Sequence, residues 1–337
     1  MIQDVLLKLI DDEELTIAEV EETAREIMEG RASACQIAAL MMGLRLRGEE
    51  LIHLLGFVRV MREKGVRLDV EPGILLDTCG TGGDETGTFN ISTTAAFIAA
   101  GAGVRVAKHG NRSVSSKCGS ADVLQALGVK VDLPKEAAER CLRETGVCFL
   151  FTPIYHGAMK HAAQPRKELG MRSIFNMLGP LSNPAGATHQ LIGVYDGRLT
   201  ELMARALREL GSERALVVWG ADGIDEITTT SATQITELSN GKIATRSVTP
   251  GEFGFASASL ADLVGEDAEA NAKITLEILR GQSGPRMDIA LLNAGAAIYV
   301  AEQAESILEG IGFARRAIES GAVMEKLEQL KKASNKL

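Results

Sequence analysis

Three polar clusters in the chain combine residue types suited to holding phosphate and metal. Residues 79–90 read CGTGGDETGTFN, between the apolar run Ile74-Leu75-Leu76 and an alanine-rich stretch. A dinucleotide fingerprint needs G-x-G-x-x-G, but Gly80-Thr81-Gly82 leads to Glu85 at the last position. A Walker loop needs a lysine after its second glycine, and Thr88 follows Gly87. What remains is a strand, a glycine turn carrying Asp84, and a helix opening at Ser92-Thr93. Such a helix start offers unpaired N–H groups and a positive dipole end to an anion. A tight turn with no ligand accounts for the glycines equally well. The second cluster gathers Lys108, His109, Asn111, Arg112, Ser113, Ser115, Ser116, Lys117 and Ser120 after a predicted strand. Cations and hydroxyls then stand at the carboxyl end of a sheet, where open α/β folds bind ligands; a solvated loop is the alternative. The third is DGIDE at 222–226, behind the apolar strand ALVVWG. Adjacent acids such as Asp225 and Glu226 are, on their own, most often a solvated turn.

The elements that position these clusters change type along the chain. Residues 1–71 read as helices, with capping boxes at Thr16/Glu19 and Ser33/Gln36 and stops at Gly30, Gly48 and Gly65. Apolar residues at 37, 40, 41 and 44 mark one buried helical face. Glu71-Pro72-Gly73 is the boundary. Apolar runs at 74–77, 103–107, 147–151, 190–195 and 214–219 then alternate with helical stretches near 93–101, 120–127, 135–145 and 199–210. That alternation predicts a mainly parallel sheet flanked by helices. Asn240-Gly241 predicts one antiparallel hairpin, and 267–335 return to helices. The fold class is therefore α/β: a small helical domain plus a larger domain over 72–164 and 185–337. Residues 165–184, a helical piece bounded by Pro165 and Pro184, are expected to rejoin the helical domain.

A length of 337 residues, with 45% apolar and 24% charged residues, allows a large core and two domains. The net charge of −9 argues against a nucleic-acid partner. A polyanionic ligand must be held by local lysines, backbone amides or metal. Five cysteines without a CxxC pair point to a reducing cytoplasm rather than a disulfide framework. The acidic N-terminus lacks a basic n-region, and no apolar stretch reaches the ~20 residues of a membrane span.

GTGGD at 80–84, NIST at 90–93, KHGNRSVSSKCGSADVL at 108–124, RKELGMRSIFNMLGPLSNP at 166–184 and DGIDE together resemble the anthranilate phosphoribosyltransferases, a family sharing its fold with pyrimidine nucleoside phosphorylases. The resemblance runs from about residue 3 to 330. It implies transfer of a phosphoribosyl group from 5-phosphoribosyl 1-pyrophosphate to anthranilate, with two magnesium ions per subunit, in a cleft between the domains of a homodimer. It implies that Gly80, Thr81, Gly82, Gly83 and Asp84, aided by Thr88 and the helix start Asn90, Ile91, Ser92 and Thr93, hold the diphosphate. Lys108, His109, Gly110, Asn111, Arg112, Ser113, Val114, Ser115, Ser116 and Ser120 close over the rest of that substrate. Asn111 and Arg166 contact anthranilate, with Gly80 adding a backbone contact, and Ser92, Asp225 and Glu226 are the metal positions. No residue is needed as a general base. His109 is expected to shape the pocket, Cys118 to fill space, and any anthranilate synthase partner to be a separate subunit. Trp219 stands where a smaller or polar residue is expected. A nucleoside phosphorylase, using inorganic phosphate, is the chief alternative; a non-catalytic paralogue fits less well with intact GTGGD and DGIDE.

Overall fold

A computed structural model describes residues 1–83, 86–113 and 117–336. The chain opens with α1 (Ile2–Ile10), α2 (Ile17–Met28), α3 (Ala34–Arg47) and α4 (Leu51–Lys64). Both expected capping boxes form: Thr16 Oγ1 accepts the Glu19 N–H and Ser33 Oγ accepts the Gln36 N–H, each at 3.3 Å. Each satisfies one of the N–H groups a helix start leaves unpaired. Gly48 ends α3 at φ 93°, in the left-handed region where glycine is favoured.

Alternation follows, through β1 (Leu76–Gly80), α5 (Ile91–Gly101), β2 (Val106–Gly110), α6 (Ser120–Ala126), α7 (Lys135–Thr145), β3 (Val147–Phe151), α8 (Thr152–Tyr155), α9 (Lys160–Leu169), α10 (Ile174–Leu178), β4 (His189–Gly193), α11 (Leu199–Glu209) and β5 (Arg214–Gly220). A hairpin of β6 (Thr233–Ser239) and β7 (Lys242–Val248) turns through Asn240 and Gly241, both at positive φ. The chain finishes with α12 (Ala268–Leu279), α13 (Pro285–Val300), α14 (Ile307–Glu319) and α15 (Ala322–Ser334). Among the described residues the seven strands run β3-β2-β1-β4-β5-β6-β7, the first five parallel and the last two antiparallel. The chain steps outward from β1 to β3, then crosses to β4 on the other side of β1. A crevice opens at the carboxyl ends of the strands where the order reverses in this way.

Helix α5 (ISTTAAFIAAG) is buried almost all round, packed between β1 and α13, which explains its small residues. Helix α11 covers the opposite sheet face, where Ile192, Val194, Ala215 and Val217 join the core of α1–α4. That core also takes in Ile174, Phe175, Met177, Leu178 and Leu181. Phe175 meets Phe57 edge-on with ring centroids 5.6 Å apart. The Arg62 guanidinium donates twice to Leu181 O, at 3.0 and 2.7 Å, and once to Leu210 O. Among the described residues no helix is long and apolar enough to cross a membrane.

The structure corrects two expectations. Strands β1 and β2 lie further along than the apolar runs at 74–77 and 103–107, so Lys108 and His109 belong to β2 instead of following it. Backbone pairing carries the ladder through these polar residues, with Lys108 opposite Phe149 and His109 opposite Leu150. Pro165 does not bound a helix; it lies inside α9, which begins at Lys160. The proline forgoes one helical hydrogen bond, and its ring is buried.

Candidate active site

The glycine loop is built across the switch point. Thr81 N–H donates to Gly193 O at 2.9 Å, and Thr81 Oγ1 accepts the Tyr195 N–H at 3.2 Å, tying the end of β1 to the end of β4. Gly82 and Gly83 sit at φ 63° and 76°, a conformation costly for any side chain with a Cβ. The Gly82 N–H donates to Asp225 Oδ2 at 3.0 Å. A Cβ on Gly80 would run into the Asp225 carboxylate, and one on Gly193 into the Asp225 backbone. Both glycines are what let the acidic turn close over the strand ends. Asp84 lies outside the described residues. Beyond it, Thr88 forms a β-bridge with Val264, Asn90 is the N-cap of α5, and Ile91 and Thr93 are buried in its first turn. The Ser92 N–H donates to Glu226 Oε1 at 3.0 Å. Asp225 and Glu226 therefore grip the two ends of one loop. Their turn is itself held: Asn293 of α13 donates to Ile227 O at 2.8 Å and accepts the Ile227 N–H at 3.0 Å.

From β2, the buried Lys108 reaches back to β1. Its Nζ donates to Thr78 O and lies 3.2 Å from Ser92 Oγ. Burial lowers its pKa, opposed by the charges of Asp77, Glu226 and Asp225. Asp77 accepts the His109 N–H at 3.0 Å and Asn183 Nδ2–H at 2.7 Å, while burial pushes its carboxyl up. His109 donates from Nδ1 to Gly179 O at 3.1 Å, and its Nε2 lies 3.1 Å from Thr152 Oγ1. Burial holds His109 down at about 3, with His156 adding to the effect. A neutral, buried imidazole fits a pocket-shaping role.

After Gly110 the chain leaves the sheet. A Cβ on Gly110 would meet Ser120 Oγ, and Ser120 Oγ donates to the Asn111 carbonyl at 3.2 Å. Arg112 is drawn to α6, pairing with Asp122 at 2.6 Å and Gln125 at 2.8 Å. The Ser113 N–H also donates to Asp122. Val114, Ser115 and Ser116 lie outside the described residues. Cys118 is buried, its Sγ 3.4 Å from Asn90 Oδ1, and burial raises its thiol pKa, as suits a filler and not a nucleophile.

Arg166, on α9, lies over the Phe175 ring at 5.8 Å, and burial lowers its guanidinium pKa. Glu168, its neighbour in sequence, accepts from Gln164 at 2.8 Å, and among the described residues no carboxylate pairs with Arg166. Sequence reasoning missed Arg172, which donates to Gly83 O and stacks on Tyr195 at 4.7 Å. It also missed Asp77, Asn183, Gly193 and Asn293. Only Arg172 and Asn183 stand in the quoted motifs, and nothing there sets them apart. The structure joins Gly80, Gly82, Ser92, Lys108, Asp225 and Glu226 into one site. Trp219, in β5, packs over Gly197, whose missing side chain leaves room for the ring.

Residues 72–324 match the glycosyl transferase family α/β domain and residues 3–65 its helical bundle domain. The anthranilate phosphoribosyltransferase of Moorella thermoacetica is 51% identical over 98% of this chain and 97% of that one. The chain belongs to the anthranilate phosphoribosyltransferase family. The Syntrophobacter fumaroxidans member is 50% identical over 99% of both chains. The crystal structure of the Thermus thermophilus anthranilate phosphoribosyltransferase aligns with a TM-score of 0.93 at 41% identity, covering 98% of this chain and 99% of that one. The Saccharomyces cerevisiae member, solved in complex with PRPP and Mg, shares the fold at a TM-score of 0.92 and 24% identity, over 100% and 98%.

Proposed function

We propose that the chain transfers the phosphoribosyl group of 5-phosphoribosyl 1-pyrophosphate to the amine of anthranilate, releasing pyrophosphate, as a step of tryptophan biosynthesis. The observation that carries this reading is the meeting of glycine loop, helix start and Asp225-Glu226 turn at the sheet's switch point. The two carboxylates accept from the N–H groups of Gly82 and Ser92, donors of the kind an anion takes at a loop and helix start. Two acids and the Ser92 hydroxyl make an all-oxygen donor set, and among the described residues no cluster of three His, Cys, Asp or Glu side chains forms. That is too few for a protein cage but fits magnesium, which keeps waters and takes substrate phosphate oxygens. We assign two ions per subunit. Bound magnesium supplies positive charge that steadies the leaving pyrophosphate.

The amides of residues 80–84, with Thr88 and the helix start at 90–93, hold the diphosphate. Lys108 places its buried amine, a hydrogen-bond donor, beside Ser92. Residues 109–116 and Ser120 enclose the rest of the substrate. Arg166 pairs with the anthranilate carboxylate through two parallel hydrogen bonds, with Asn111 and the Gly80 backbone completing that pocket. The aryl amine is uncharged, so its lone pair attacks the anomeric carbon directly. The carbon–oxygen bond to pyrophosphate breaks, and the amine proton passes to solvent. Holding both substrates in line supplies much of the acceleration.

Exposed Leu7 and Ile10 on α1, with Met42 and Leu46 on the adjoining α3, form the face through which we expect a homodimer. Mixing the protein with anthranilate, the ribosyl pyrophosphate and magnesium should quench anthranilate fluorescence. Unchanged fluorescence, together with phosphorolysis of thymidine or uridine, would overturn the reading.

A further inference from the structure

The chain that leaves the glycine loop at 87–90 is held residue by residue by a distant C-terminal segment. Gly265 N–H donates to Gly87 O at 2.8 Å, Thr88 bridges to Val264, and Phe89 N–H donates to Leu263 O at 3.0 Å. Gly265 is required there, since a Cβ would lie 2.7 Å from Phe89 Cα. Arg286 of α13 grips this strap from behind, donating to Asp262 O at 3.1 Å and Val264 O at 3.0 Å. The last contact comes from Asn271, buried in the first turn of α12. Its Oδ1 accepts the Glu266 N–H at 2.9 Å, and its Nδ2 donates to Asn90 Oδ1 at 3.1 Å.

Asn90 in turn spans the two polar loops. Its Nδ2 donates to Cys118 O at 3.3 Å, while its Oδ1 receives Asn271 and lies 3.4 Å from Cys118 Sγ. The donor on Asn271 decides which way this amide faces. If it were reversed, two NH2 groups would oppose each other and Cys118 O would lose its partner. One turn further along the same pair of helices, Thr94 and Thr275 hydroxyls meet at 3.2 Å. That contact repeats the polar packing and reaches Asn90 only at its backbone, where Thr94 Oγ1 donates to the carbonyl at 3.0 Å, so it leaves the Asn90 side-chain amide and its link to Cys118 alone.

We infer that Asn271 is a positioning residue for the ribosyl pyrophosphate, acting through Asn90 to set the spacing between the first and second phosphate-binding loops. The inference rests on the proposed function, in which both loops hold that substrate.

The test is steady-state kinetics with each substrate varied in turn, beside melting temperatures, for wild type, Asn90→Ala, Asn271→Asp, Thr275→Val and Arg286→Met. Asn271→Asp keeps the acceptor for Glu266 but opposes an oxygen to Asn90 Oδ1. It should raise the KM for the ribosyl pyrophosphate about ten-fold, the scale of one lost hydrogen bond, and leave the KM for anthranilate unchanged. Asn90→Ala should do the same. Arg286→Met loosens the strap from a partly exposed position, so it reads the same KM, with a smaller rise, even if Asn271→Asp fails to fold. Thr275→Val should lower the melting temperature without moving either KM. A wild-type KM in Asn271→Asp, or in Arg286→Met if Asn271→Asp does not fold, would overturn the inference, as would an equal rise in Thr275→Val or no effect of Asn90→Ala. Absence of turnover in the wild type would instead overturn the proposed function.

Discussion

Asp225 and Glu226 are neighbours in sequence, yet they hold opposite ends of the glycine loop, one at Gly82 and the other at Ser92. Replacing them as Asp225→Asn with Glu226→Gln keeps the shape and removes the charge. The expected result is a folded protein whose kcat/KM falls by at least ~100-fold, with its magnesium response abolished in a metal titration. Unchanged kinetics across that titration would take both acids out of the site. Arg166 raises a different question, because its neighbour Glu168 suggests a surface ion pair and the structure gives Glu168 to Gln164 instead. Arg166→Ala should cost roughly 1.5–3 kcal/mol of transition-state binding, so kcat/KM for anthranilate drops by on the order of 10- to 150-fold. The KM for the ribosyl pyrophosphate should hold, and lysine should restore only part of the loss, lacking the two-pronged geometry. Equal weakening toward both substrates would place Arg166 elsewhere. His109 carries the pH prediction. The unfolded chain takes up a proton at 6.5, whereas folded His109 waits until about 3. Between these values the unfolded state binds more protons, so stability falls as pH drops through that window. In urea titrations from pH 7 to 4, His109→Gln should lose stability less steeply than the wild type.

At the scale of elements, most of the architecture was legible because each piece announces itself locally. Capping boxes at Thr16 and Ser33, the Asn240-Gly241 turn and the alternation of apolar runs with helical stretches all reflect short-range geometry. The ends of β1 and β2 did not, because a strand entering a ligand crevice turns polar while its backbone ladder continues. That displacement hid the fact that Lys108 is anchored in the sheet, pointing back at Thr78 and Ser92. The residues that brace the site were equally hidden. Asn293 and Gly193 serve Asp225 and Glu226 only through contacts distant in sequence, and a lone buried asparagine or glycine leaves no local pattern. The loop itself offers a direct test. Gly83 sits at φ 76°, and Gly83→Val would carry about 1–3 kcal/mol of backbone strain. Calorimetry should then show affinity for the ribosyl pyrophosphate reduced by roughly ten-fold or more; native affinity in a folded variant would make the loop a mere turn.

At the scale of the whole molecule, α1 and the adjoining α3 together expose Leu7, Ile10, Met42 and Leu46. Ile10 is 77% and Leu46 79% exposed, and a face of this kind marks an interaction surface. Ile10→Glu with Leu46→Glu should give a monomer in analytical ultracentrifugation with an unchanged melting profile at low concentration; a persistent dimer would move the interface elsewhere. The core beneath that face has a consequence for how the protein is made. Helices α1–α4 share it with Ile174, Phe175 and Leu181, and Arg62 bonds to Leu181 across 119 residues of sequence. On a ribosome the first four helices emerge long before their packing partners, so the earliest segment synthesised is among the last to be sealed. Contacts of such sequence separation slow folding, and apolar helix faces left waiting invite misassembly. Nascent chains stalled before residue 160 should therefore stay protease-sensitive throughout α1–α4, gaining resistance only once α10 has left the exit tunnel.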